Sequence, residues 1–130
     1  MNIDLIEDSL ADAALHPERH DQRTWFCGST MCLAAFIAQR AGWVLHAARI
    51  GPTSAWAEKD GTRISICEAA RLEARLTREQ AHFLFVDSAS DGLKELQARW
   101  EHMKDGGTTS GHWCPPGNSP AHLPCRRNAA

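Results

Sequence analysis

Two cysteines, Cys27 and Cys32, flank a Gly-Ser-Thr segment and lead directly into an apolar run. A thiol in the first turn of a helix has a lowered pKa, because the helix dipole favours the reactive thiolate. The Gly28-Ser29 step can also present backbone N–H groups to an oxyanion. This arrangement makes Cys32 a candidate catalytic nucleophile.

A general base for Cys32 is difficult to identify. The segment resembles the start of papain-like proteases, but two additional residues separate its cysteines and Leu33 stands where those proteases have an aromatic residue. It also resembles transglutaminase-like thiol enzymes, in which a His-Ala-Trp segment follows, but here Ser54 takes the place of the histidine. Without that base the thiol is not activated. A cysteine enzyme is therefore an alternative, and a small buried thiol is the usual role of such a residue.

Histidines and cysteines also form two sets of zinc ligand types. The first is His16, His20, Cys27 and Cys32, and the second is His112, Cys114, His122 and Cys125. Neither set has two close pairs separated by a dozen or more residues, the usual zinc spacing. The second set is the better candidate, because its surroundings cannot form a core and a bound metal would order them. Zinc there is an alternative to the leading expectation of no cofactor.

The charge balance does not favour nucleic acid as a partner. The chain has 14 lysines and arginines against 16 aspartates and glutamates, a formal net charge of -2, so no overall attraction to a polyanion exists. Arg71, Arg75 and Arg78 accompany two helices that resemble a helix-turn-helix outline. The intervening glutamates predict charge pairs on a solvated face instead. A DNA-binding regulator remains an alternative.

No segment of the chain indicates export or membrane insertion. Residues 1–15 carry four acidic side chains where a signal peptide needs a basic start and an apolar run. No window is apolar enough to span a bilayer. We therefore expect a cytoplasmic protein without a membrane partner.

Apolar spacing and capping residues predict a mainly α fold. We expect a compact bundle of about five helices, near residues 3–15, 31–41, 66–75, 78–86 and 91–104. The helix at 31–41 is apolar nearly all round, as a buried central helix is. Val44-Leu45 and Arg63-Ile64, with an Asp-Gly turn near them, predict a small β-hairpin. Residues 1–105 form this helical domain, and residues 106–130 are a flexible Gly/Pro/Ser-rich tail.

The segment around the cysteines resembles a group of small uncharacterised proteins from actinobacteria and their phages. His16-Pro17-Glu18, Asp21-Gln22 and Trp25 lead into Cys27-Gly-Ser and Cys32-Leu-Ala, as a His-Pro-Glu, Asp-Gln and Trp pattern leads into Cys-Gly-Thr-x-x-Cys in that group. The chain departs from the pattern at Ser29 and Ala35, and its tail has no counterpart. We take Gln22, Trp25 and Cys27, which carry the resemblance, as candidate binding residues.

The leading functional hypothesis is a small non-catalytic binding or regulatory protein. The resemblance implies a phage-encoded or phage-derived origin, and small phage proteins commonly bind a host protein. We expect the partner to be a bacterial host protein in the host cytoplasm. The alternatives are a cysteine enzyme that uses Cys32, and a zinc-stabilised or DNA-binding regulator.

Overall fold

The computed structural model describes residues 1–24, 26, 31–48, 51–89, 91–110 and 113, and for residues 48 and 51–54 it describes the backbone alone. No helix within these residues is long and apolar enough to cross a bilayer. The helices and strands are α1 (Ile3–Leu15), α2 (Leu33–Arg40), β1 (Val44–Ala48), β2 (Gly51–Lys59), β3 (Thr62–Ser65), α3 (Ile66–Ala74), α4 (Arg78–Ala81) and α5 (Leu93–Lys104). A 3-10 turn, Pro17–Arg19, follows α1, and a π-helical turn, His82–Val86, follows α4.

The predicted mainly α class is wrong, because the chain is a mixed α/β protein. Its five described helices accompany a three-stranded antiparallel sheet of order β1-β2-β3. The sequence conceals β2, which begins with Gly-Pro-Thr-Ser, residues typical of turns. This start pairs with β1 through Gly51 and Ala48, and local propensity does not report hydrogen bonds to a partner strand.

The predicted Asp-Gly turn is present, but the hairpin it closes belongs to the larger sheet. Asp60 and Gly61 have φ of 51° and 80°, as a two-residue turn with both central φ values positive requires. Lys59 pairs with Thr62 directly beside it. The hairpin therefore consists of β2 and β3, and β1 pairs with the other edge of β2.

Helix α2 forms the centre of the core because nearly every side chain in it is apolar. Six consecutive residues from Leu33 to Ala38 are buried. The three alanines among them let α1 and α3 pack closely, and both helices contact α2. The predicted central helix is thus confirmed, although it starts at Leu33 with Cys32 as its N-cap. Gly42, with φ of 99°, terminates it.

Ser65 and Thr77, whose capping patterns predict the starts of two helices, both cap those helices, but the Glu68 carboxylate bonds to Arg71 instead of reaching back to Ser65. The Ser65 hydroxyl accepts from the Glu68 backbone N–H at 3.1 Å. Thr77 and Gln80 exchange reciprocal side-chain to backbone hydrogen bonds of 3.1 and 2.9 Å, the complete capping box. The helix that Thr77 starts is shorter than predicted, since only Arg78–Ala81 is α-helical before the π-helical turn.

Helix α5 packs its apolar face against the core, and hydrogen bonds from α5 connect it to α1. Leu96, Trp100 and Met103 are buried. The Trp100 indole N–H donates to the Glu7 carboxylate on α1 at 2.9 Å, and the Lys104 ammonium donates to the same oxygen at 2.8 Å. These hydrogen bonds, from Lys104 first and then Trp100, lower the pKa of Glu7.

Arg99, on α5, is buried although the sequence gives no sign of it. Its side chain is 2% exposed and its Nε donates to Asp91 at 2.6 Å. The other guanidinium nitrogens donate to the backbone carbonyls of Phe83 and Asp87, each at 3.1 Å. The rings of Phe83 and Trp113 lie 4.8 and 4.7 Å from the guanidinium carbon. The charge is therefore fully paired, as burial demands.

Part of the predicted tail packs against this region. Gly107 donates from its backbone N–H to the His102 carbonyl at 2.8 Å, and a Cβ at Gly107 would lie 2.3 Å from the His102 ring. Thr109 donates to Glu79 at 2.9 Å. Trp113 contacts Phe83 edge-on, with ring centroids 5.4 Å apart. Glycine at 107 thus lets the chain cross α5 closely.

Glu73 connects α3 to the sheet and to the end of α2. Its carboxylate accepts from the Trp43 indole N–H at 2.9 Å and from the Lys59 ammonium at 3.2 Å. Lys59 also donates to the Ala41 carbonyl at 2.9 Å. The Trp43 hydrogen bond first, and then Lys59, lower the pKa of Glu73 below its ordinary value of 4.5.

Replacing Arg99 tests whether the buried charge organises the second half of the chain. We expect Arg99→Met to lower the free energy of unfolding by about 3–5 kcal/mol, because Asp91 stays buried without its partner. Urea denaturation followed by circular dichroism measures this. Lys94→Met, an exposed substitution on the same helix, should change stability by less than about 0.5 kcal/mol. Equal effects of the two variants would contradict the interpretation.

Glu73 predicts a specific pH dependence of stability. Because its pKa is lowered in the folded state, the ionised carboxylate stabilises the protein above the unfolded pKa, and this contribution is lost as the pH falls through the folded pKa. Glu73→Gln should cost about 1 kcal/mol at pH 7. The difference from wild type should shrink as the pH falls below the ordinary glutamate pKa of 4.5. Denaturation midpoints across this range, with Glu95→Gln as the control, test it, and a constant difference would count against the assignment.

Candidate functional site

Cys32, the candidate nucleophile, is buried at the start of α2. The residue is 1% exposed, and this burial raises the pKa of its thiol to about 12. Backbone N–H groups of Ala34 and Ala35 act in the opposite direction, but more weakly. The helix terminus therefore does not generate a thiolate here. A protonated, buried thiol is a poor nucleophile.

His46 and His82, the histidines that could take the place of the missing base, lie in surroundings other than those of Cys32. His46 is on β1 and contacts Trp56 and Glu58. His82 is at the start of the π-helical turn, where its Nδ1 is 3.3 Å from the Asp87 carboxylate. Cys32, in contrast, is enclosed by the core. Both rings thus make these contacts away from the core that encloses the thiol, and the side chain of Ser54 lies outside the described residues.

Gln22, a candidate binding residue, uses its polar atoms inside the protein. Its Oε1 accepts from the Leu33 backbone N–H at 3.0 Å and from the His20 ring at 2.9 Å. Its amide nitrogen donates to the Ser88 hydroxyl at 2.9 Å, and Ser88 donates to the Leu84 carbonyl. Gln22 is 5% exposed. It fastens its loop to α2 and the π-helical turn, a structural role that explains why the residue type is needed.

The other predicted site residues lie outside the described residues. These are Trp25, Cys27, His112, Cys114, His122 and Cys125. Within the part of the chain that the structure describes, no group of three His, Cys, Asp or Glu side chains is placed to hold a metal ion. Arg71 is one of the three arginines of the helix-turn-helix alternative and lies near the centre of α3. Its guanidinium donates to the Glu68 carboxylate and to the Leu76 carbonyl.

The sheet brings together a set of side chains that the sequence did not identify as a site. Its inner face packs Leu45, Ala57 and Ile64 against the core. Because side chains alternate along a strand, the strand register places the other set on the outer face. These residues are Val44, His46, Trp56, Glu58, Arg63 and Ser65, and we call them the outer sheet face.

A stack of three side chains crosses the outer sheet face from strand to strand. The His46 ring lies 5.1 Å from the Trp56 ring at an interplanar angle of 15°. From β3, the guanidinium carbon of Arg63 lies 4.0 Å from the same indole. Cross-strand pairs of this kind stabilise a sheet, and Arg on Trp is a favourable cation–π contact. The indole is therefore held in one orientation by both neighbouring strands.

Several groups on the outer sheet face lack a packing or hydrogen-bonding partner among the described residues. Val44 is 59% exposed. The Trp56 indole N–H is buried and has no hydrogen-bond acceptor among the described residues. A groove of about 460 Å³ runs beside the face, lined by Gly42, Val44, His46, Glu58, Lys59 and Asp60. Apolar, aromatic and charged groups are thus combined on one rigid, open surface.

The alternation of Ala55-Trp56-Ala57-Glu58 was the signal that could have revealed this face. Small residues that alternate with a large aromatic residue and a charged residue fit a strand with one buried side.

No protein family model, curated protein or solved structure matches the chain.

The state of Cys32 is testable by alkylation. At pH 8 a thiol with a pKa near 12 is ionised in only about 1 molecule in 10,000. We therefore expect iodoacetamide to leave Cys32 unmodified in the native protein while half-buried Cys67 reacts slowly, as peptide mass mapping would show. Both should react in urea. Native modification of Cys32 at the rate seen in urea would restore it as a candidate nucleophile.

Proposed function

We propose that this chain is a small non-catalytic binding protein that acts on a bacterial host protein through its outer sheet face. The observation that carries the proposal is the His46–Trp56–Arg63 stack beside the exposed Val44. Trp and Arg are the side chains most enriched where single residues dominate the affinity of protein interfaces. A tryptophan held by its neighbours also loses little conformational freedom on binding.

The buried thiol supports a binding role over a catalytic one. Cys32 has the high pKa and the enclosed position of a structural cysteine. Gln22 likewise serves the packing of its loop. The side chains with unused capacity lie on the sheet, where they form a surface rather than a reactive centre.

The host and its compartment follow from the resemblance of the cysteine segment to actinobacterial and phage proteins. On this proposal the chain has a phage origin and meets its partner in the cytoplasm of an actinobacterial host. Such a protein needs no chemistry of its own, since occupying a functional surface of the partner is sufficient.

Affinity capture with matched variants tests the proposal. Full-length wild type, Trp56→Ala and Leu72→Ala are immobilised, and an actinobacterial lysate is passed over each. Leu72 is 52% exposed on α3, outside the outer sheet face, and serves as the control. A retained protein is then purified and its Kd measured for all three.

We expect Trp56→Ala to weaken binding about 30-fold or more, the scale of a dominant interface residue, and Leu72→Ala to bind as wild type does. Circular dichroism verifies that each variant is folded. If Trp56→Ala loses its fold, Arg63→Ala replaces it. Failure to retain any protein, or equal binding by both variants, would overturn the proposal.

A further inference from the structure

The charge of Arg63 is not neutralised by the carboxylate placed opposite it. Arg63 pairs in register with Glu58 on β2, where a cross-strand ion pair is expected. Its guanidinium instead lies over the Trp56 ring at 4.0 Å. Glu58 lies 3.5 Å from His46 on the other side. The Arg63 donors therefore have no acceptor among the described residues.

The stack leaves those donors in a geometry suited to a carboxylate. A guanidinium that covers an aromatic ring with its flat face keeps its N–H groups in the plane, pointing away from the ring. That planar fork matches the two oxygens of a carboxylate and forms paired, charge-assisted hydrogen bonds with it. Contact with Trp56 restricts the side chain beforehand, which lowers the entropy lost on binding.

Charge around the stack favours a single carboxylate over a polyanion. Glu58 lies on the same face, Asp60 lines the adjoining groove, and the chain has a net charge of -2. Repeated phosphates would lie against both acids, whereas one carboxylate at Arg63 has Glu58 as its acidic neighbour, and the Glu58 carboxylate lies 3.5 Å from the His46 ring. Val44, opposite Glu58 on β1, offers an apolar contact on the same line across the sheet.

We infer that the outer sheet face binds a protein segment that presents one acidic side chain to Arg63 and an apolar side chain to Val44. β1 and β3 lie about 10 Å apart across β2. An extended segment covers that distance in about three residues. The inference rests on the proposed function and names the partner's chemistry.

Two peptides that differ only in carrying a glutamate or a glutamine side chain test this recognition. One capped peptide carries leucine and, three residues later, glutamate in a glycine-serine background; the other carries glutamine instead. Each is titrated into ¹⁵N-labelled full-length protein, with the indole resonance of Trp56 assigned from Trp56→Phe. The indoles of Trp43 and Trp100, bonded to Glu73 and Glu7, are internal controls.

We expect the glutamate peptide to shift the Trp56 resonance and to bind at least about 5-fold more tightly than the glutamine peptide. Arg63→Glu should abolish the difference, and Arg63→Lys should retain part of it because the charge remains but the fork does not. Equal affinity for both peptides, no binding of either, or a larger Trp56 shift with mixed-sequence single-stranded DNA would overturn the inference.

Capture of the host protein separates this inference from the proposed function. If Trp56→Ala loses the host protein while Arg63→Glu still binds it at wild-type affinity, the outer sheet face is the interface and the carboxylate inference is wrong. If neither substitution affects capture, both are wrong. If Arg63→Glu loses the host protein and Arg63→Lys recovers part of the affinity, both are supported.

Discussion

The buried guanidinium of Arg99 joins several separate segments in the second half of the chain. An arginine removed from water is tolerated only when its charge and its donors all find partners. Here Asp91 supplies the countercharge, the turn that precedes it supplies two carbonyls, and Trp113 covers the remaining face. The π-helical turn, the bend at Asp91 and the packing of Gly107 and Trp113 over α5 must therefore form together.

Gln22 has a similar organising role at the start of α2, on an uncharged side chain. Its carboxamide satisfies the first backbone N–H of α2 and reaches Ser88 beyond the π-helical turn. Gln22 and Arg99 thus hold helices and turns together. The sheet packs on α2 and α3, and its outer face carries the stack around Trp56.

The elements governed by local rules could be predicted from the sequence, and those governed by distant partners could not. The caps at Ser65 and Thr77 and the turn at Asp60-Gly61 depend on neighbours within three residues. The Gly-Pro-Thr-Ser start of β2 has the composition of a turn and forms a strand by pairing with β1, which local rules do not predict. Cys32 is a similar case. Its position at a helix start favours a reactive thiol, but its burial, which raises the pKa, depends on tertiary packing.

The candidate site was missed for the same reason. His46, Trp56 and Arg63 lie on three different strands and become neighbours only through the strand register. The sequence does not specify that register when one of the strands is not recognised. A charged residue such as Arg99 also reads as solvated in a helical pattern. Only the partners that surround it in the fold show that it lies inside.

The carboxylate of Glu7 accepts hydrogen bonds from both Trp100 and Lys104, so the first helix is fastened to the last. Neither helix can fray from its inner side without breaking a contact on which the other depends. Amide hydrogens in α1 and α5 should then exchange with solvent in a common opening event, although many residues separate them in sequence. The hydrogen bonds to Glu7 thus link the opening of α1 to that of α5.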